Sequence, residues 1–114
     1  MNQEGYQRGI QLFNQRHFFD AHETWEDVWR ETHGPEKKFL QGLIQVAVAF
    51  HHHSTGNLVG ACSLLERARK NLVKYPGEFG GIRVTALCAS LEHWRDSLSS
   101  GTNVPEFPKL DETG

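Results

Sequence analysis

The side chains best suited to chemistry lie in one stretch, His22-Glu23-Thr24-Trp25-Glu26-Asp27-Val28-Trp29. His22 and Glu26 stand four residues apart, so on a helix an imidazole nitrogen and a carboxylate converge above one face. Two donors hold a metal ion weakly, and the rest of a site must come from another helix. Gln41, Gln45, Val48 and His52 fall on one stripe further on, with His51 one flank over. His22, Glu26 and either His52 or His51 would give a mixed nitrogen and oxygen set, which suits Zn, Mn, Fe or Ni without choosing among them. Trp25 and Trp29 would wall such a pocket, and Gln41 or Gln45 would stand behind the ligands. An open coordination position would acidify a bound water and permit hydrolysis, with Glu23 as the candidate base.

A plainer reading uses the same residues. A histidine desolvated among Phe18, Trp25 and Trp29 needs partners, and Glu26 and a glutamine would supply them as a packing network. The run His51-His52-His53 near a helix C-terminus is stabilised by the helix dipole, and three consecutive residues point in three directions. The familiar signatures do not match: HExxH breaks at Glu26, and the Glu-x-x-His order of di-iron bundles is absent. Cys62 and Cys88 have no activating neighbour, and there is no phosphate loop and no GxSxG elbow.

The elements that position these residues are helices. Tyr6, Gly9, Ile10 and Phe13 mark a first helix, and the polar run 14–17 a tight turn. A second helix spans about residues 18–31 and stops at Gly34-Pro35. The short joint makes the two an antiparallel hairpin. A third helix runs from about Glu36 to Ser54, apolar nearly all round through its middle, and so central. Gly56 ends it and Asn57 caps a fourth, which carries Ala61, Leu64, Leu65, Ala68 and Leu72 on one side. Residues 75–81 read as an irregular connection, and no strand is expected. A fifth helix covers 82–100. An extended tail, 101–114, follows, with Pro105 and Pro108 holding it open and Phe107 and Leu110 able to pin it.

The chain of 114 residues, 38% hydrophobic, suits one all-α domain of about five helices, with hairpins at 1–34 and 36–74. Its net charge of -2 and scattered Lys and Arg offer no face to a phosphate backbone, so no nucleic-acid partner is expected. The N-terminus has neither a basic nor an apolar signal region, and the run from Leu40 to Phe50 is too short for a bilayer; a cytoplasmic protein with reduced cysteines follows. The apolar positions of the fourth and fifth helices fit an inner core or a homodimer face equally.

A shift of 40 residues lays Ala21 on Ala61, Trp25 on Leu65, Glu26 on Glu66 and Val28 on Ala68. The helix pair it defines is similar to the tetratricopeptide type, without that full consensus. His22 falls on Cys62 and Trp29 on Arg69, so the first hairpin carries something the second lacks.

His22, Glu26 and Trp29 also satisfy an HxxxExxW motif. With the block Phe39-Leu40-Gln41-Gly42-Leu43-Ile44-Gln45, the histidines at 51 to 53, Gly56-Asn57 and Gly60-Ala61, the chain resembles the DUF309 family over about residues 8–72. The resemblance implies an all-helical fold and a metal-binding role for the motif, reaching His22, Glu26 and Trp29 and extending to His51 or His52. It implies no activity. Three functions follow as expectations: a divalent-metal pocket between the second and third helices, a helical module that binds a peptide or protein through an apolar patch away from the motif, and a metal-free small-ligand pocket.

Overall fold

The structure, a computed structural model, describes residues 1–110. Five helices run in order: α1 (Gln3–Asn14), α2 (Phe18–Arg30), α3 (Pro35–Ser54), α4 (Leu58–Leu72) and α5 (Val84–Ser100). Each packs on the next, so the chain is an all-α array of hairpins with α3 in its centre. Local signals set the helix ends. The Asn2 side chain accepts from the Gly5 amide and that of Asn57 from the Gly60 amide, satisfying first-turn donors of α1 and α4. Pro35 opens α3, where its missing N–H costs nothing.

The 40-residue repeat extends to the backbone. After α1, Arg16 N–H bonds the Phe13 carbonyl and His17 N–H that of Leu12; after α3, Gly56 bonds His53 and Asn57 bonds His52 in the same way. Both are Schellman closures, with φ of 68° at Arg16 and 84° at Gly56. Positions 21–30 and 61–70 then follow the same order of buried, half-buried and exposed residues.

The core runs through all five helices. Tyr6, Phe13, Trp25, Phe39, Phe50 and Trp94 are fully buried, and truncating one of the large aromatics to Ala costs about 3–5 kcal/mol in such a setting. Leu65, Ala68, Leu72, Leu87 and Leu91 belong to this core, so the inner stripes of α4 and α5 are occupied within the chain.

One expectation fails between α4 and α5. Residues 75–83 are not wholly irregular: β1 (Glu78–Phe79) pairs antiparallel with β2 (Ile82–Arg83). Gly80 and Gly81 both take positive φ, which a two-residue hairpin turn requires. The hairpin is held down by Tyr6, whose hydroxyl donates to the Gly80 carbonyl at 2.6 Å. The expected tail carries neither helix nor strand from 102 to 110, and Leu110 is buried; its last four positions lie outside the described residues.

Candidate functional site

The motif occupies the seam where α2 meets α3. Phe19, His22, Glu26 and Trp29 form one stripe of α2, at spacings of three, four and three. The ends of the stripe fix the facing register. Lys37 places its ammonium 4.1 Å from the centre of the Trp29 ring, and the Phe19 ring lies 5.1 Å from that of His51. Gln41, Ile44 and Val48 continue helically between Lys37 and His51, and all are half-buried. The stripe of α3 that faces the motif is therefore 37, 41, 44, 48 and 51, not the expected 41, 45, 48 and 52.

His22 Nε2 lies 2.8 Å from a Glu26 carboxylate oxygen, an ion-pair distance, with the two side chains 22% and 41% exposed. His22 is thus half-buried, not enclosed among aromatics. A proton on Nε2 suits a carboxylate oxygen at this distance, and in the neutral imidazole Nδ1 is then the lone-pair atom. Among the described residues that Nδ1 is buried without a hydrogen-bond partner, and so is Nε1 of Trp29. The Phe19 ring, 5.6 Å from His22 and itself 48% exposed, covers the outer side.

The other expected pocket residues go elsewhere. Trp25 is fully buried and its Nε1 donates to the Tyr6 carbonyl at 3.1 Å, so it packs on α1 and walls no pocket at the seam. Gln45 accepts from Asn71 of α4 at 2.8 Å, on the far side of α3. His52 lies 3.5 Å from Asn57 at the α3–α4 turn, and His53 stands against Trp94 with ring centres 5.0 Å apart. Only His51 of the three histidines reaches the Phe19 end of the seam. Glu23 is exposed. Among the described residues no three His, Cys, Asp or Glu side chains gather where one metal ion could sit. Of the expected donors the structure brings His22 and Glu26 together, while His52 stands at the α3–α4 turn.

Phe19 and Lys37 are the seam residues that motif reading misses. Their signal was available: each extends its stripe by one helical step. Away from the seam, both cysteines are free and half-buried, and burial pushes the Cys88 thiol up, which leaves it unsuited to nucleophilic work.

The fold and the seam define a helical-hairpin array with a half-buried polar stripe on α2 flanked by aromatic rings. The chain belongs to the family described as a domain of unknown function, DUF309, whose model matches residues 6–64. It is similar to an uncharacterized protein of Aquifex aeolicus (strain VF5), 33% identical over 96 residues, covering 83% of this chain and 28% of that protein. It is also similar to the uncharacterized protein YpuF of Bacillus subtilis (strain 168), 35% identical over 57 residues, 49% of this chain and 33% of that protein. The chain thus spans about a third or less of the length of these relatives. No helix among the described residues is long and apolar enough to cross a membrane.

Proposed function

We propose that the α2–α3 seam is a binding site for a small polar organic ligand, without metal. The observation that supports this most is the pair of ring nitrogens, His22 Nδ1 and Trp29 Nε1, buried on one stripe with no partner. Leaving a buried polar group unpaired costs about 1–3 kcal/mol, so such groups call for an explanation, and a ligand that pairs them recovers that cost. The Trp29 nitrogen only donates and the neutral His22 nitrogen accepts. The two residues stand two helical turns apart, about 10 Å along the axis, so the ligand carries an acceptor at one end and a donor at the other. Phe19 and Trp29 supply apolar area, Glu26 holds the imidazole, and Lys37 favours an anionic group at the Trp29 end.

The test is a thermal-shift screen of small polar metabolites on untagged protein, repeated on folded His22→Ala and Trp29→Phe variants, with elemental analysis alongside. Trp29→Phe deletes the N–H and keeps a smaller aromatic ring in its place. Hits that stabilise the wild type and neither variant support the reading. A near-stoichiometric Zn, Mn, Fe or Ni that vanishes in His22→Ala overturns it in favour of a metal site.

A second reading, a protein-interaction module, draws on a different place. Leu58 is 48% and Val59 83% exposed, and with Cys62 and Leu98 they border an apolar cleft of about 320 Å³ at the start of α4, away from the motif. Val59→Lys with Leu58→Gln would abolish association there and leave ligand shifts at the seam intact.

A further inference from the structure

Residues 103–110 are held as a bound peptide is held. The Phe107 ring sits in an aromatic cup: ring centres lie 5.0 Å from Phe18, 5.1 Å from Phe50 and 5.0 Å from Trp94, the last stacked. His53 closes one side at 6.3 Å, and the Arg16 guanidinium lies 5.4 Å over the same ring. Three residues on, Leu110 is 2% exposed. The main chain is gripped by side chains. Trp94 Nε1 donates to the Glu106 carbonyl at 3.1 Å, and the Asn14 amide both donates to the Leu110 carbonyl at 3.0 Å and accepts from its N–H at 2.7 Å.

No main-chain to main-chain bond joins residues 103–110 to the rest of the described chain. Pro105 and Pro108 pre-set φ and remove two donors that an extended segment would otherwise have to satisfy. A two-way amide clamp reads an extended backbone whatever side chain it carries, while the cup selects an aromatic and the second pocket an aliphatic group. That division of labour is how grooves recognise extended and polyproline peptides.

We infer that the groove built from Asn14, Phe18, Phe50, His53 and Trp94 recognises an extended segment of a partner polypeptide, with the pattern Pro-x-aromatic-Pro-x-aliphatic. Residues 104–110 are its resident competitor. The strap has a hinge suited to release: Gly101, left-handed at φ 71°, ends α5, and residues 101–103 are exposed. Rotation there frees the strap without unpacking a helix.

The probe is a fluorescein-labelled peptide, Asn-Val-Pro-Glu-Phe-Pro-Lys-Leu, titrated by anisotropy against the full chain. Apparent affinity scales with the fraction of open groove, so the wild type binds weakly and a Phe107→Ala/Leu110→Ala variant binds at least about tenfold more tightly. Adding Asn14→Ala to that variant weakens binding by about tenfold, and a peptide with Ala in place of its Phe does not bind. Equal binding to wild type and variant, or no binding to a variant that circular dichroism shows folded, overturns the inference. If the double variant unfolds, Leu110→Ala alone, which leaves the cup filled, must still tighten binding measurably or the inference fails. Sedimentation gives the last arm: a wild type that dimerises where the double variant stays monomeric would show the groove serving a second copy's strap, against the proposal.

Discussion

The seam of α2 with α3 and the seam of α4 with α5 are built on one pattern and finished differently. His22, Glu26 and Trp29 of the first correspond to Cys62, Glu66 and Arg69 of the second. In the second seam the polar groups are paired. Glu66 accepts from Arg69 at 3.0 Å and from Arg95 of α5, and Cys62 lies 3.6 Å from the Ser99 hydroxyl. In the first, Glu26 is engaged by His22, while His22 Nδ1 and Trp29 Nε1 find no hydrogen-bond partner among the described residues. A seam that only holds two helices together is expected to close its polar bonds, as the second does. The open bonds of the first are therefore the better guide to where a ligand goes.

The sharpest way to break the correspondence is in the core, where the copies exchange volume. Gly9 corresponds to Ala49 and Trp25 to Leu65. A methyl placed on Gly9 would fall inside the Trp25 indole, whereas at the corresponding positions Ala49 and Leu65 are both buried. Gly9→Ala should cost about 2–3 kcal/mol by overpacking, measured by urea denaturation. Importing the other copy's pair, Gly9→Ala with Trp25→Leu, should cost less than the sum of the single changes by about 1 kcal/mol or more. Simple additivity would mean the two hairpins do not share a packing rule.

Acid separates the seams next. Hydrogen bonds from Arg69, then from Arg95, lower the Glu66 carboxyl from an ordinary 4.5 to about 2. The unfolded chain takes up this proton first as pH falls, so the stabilisation is complete above pH 4.5 and is lost between 4.5 and about 2. Glu66→Gln should flatten that part of the stability profile, followed by urea midpoints across the acid range. An unchanged slope would show the arginine clamp to be energetically idle.

The His22 bond is a looser contact by the same comparison. With half-exposed partners and one ring nitrogen already unpaired, His22→Ala should change stability by less than about 1 kcal/mol. A loss above about 2 kcal/mol would make the motif a packing device and return the first seam to the status of the second.

Most of this architecture was legible because it rests on periodicity. The three-and-four spacing of Phe18, His22, Trp25 and Trp29, and the Gly56-Asn57 stop and cap, determine helices whatever surrounds them. Of these four, only Phe18 and Trp25 turn out to lie on the buried stripe of α2. The site was legible only in part. His22 and Glu26 are neighbours by local geometry, but which face of α3 they meet depends on the angle between two helices. That angle moved Gln45 and His52 to the α4 side, left His51 as the histidine at the seam and brought in Lys37. Trp25 and Trp29 look alike in sequence, and only the glycine gap at position 9 shows that one of them is buried against α1. The small strand pair escaped because two residues per strand carry no alternation; the Gly80-Gly81 turn was its one readable sign.

The two interhelix turns give the finest comparison, since they share a fold with different residues at the left-handed position. Nothing lies within 4 Å of a methyl placed on Gly56, so Gly56→Ala reports conformational cost alone, about 1 kcal/mol. Arg16 already bears that cost at φ 68°. Arg16→Gly would relieve it, but glycine frees the unfolded chain by about 0.4–1 kcal/mol and removes a cation–π contact with Phe107 worth about 0.5–1. These terms nearly cancel, and the melting temperature should hardly move. A clear gain would show that backbone strain dominates and that the guanidinium adds little over the strap. A clear loss would show that Arg16 is kept in an unfavourable conformation because it holds Phe107 in its cup, making this turn the latch of the strap.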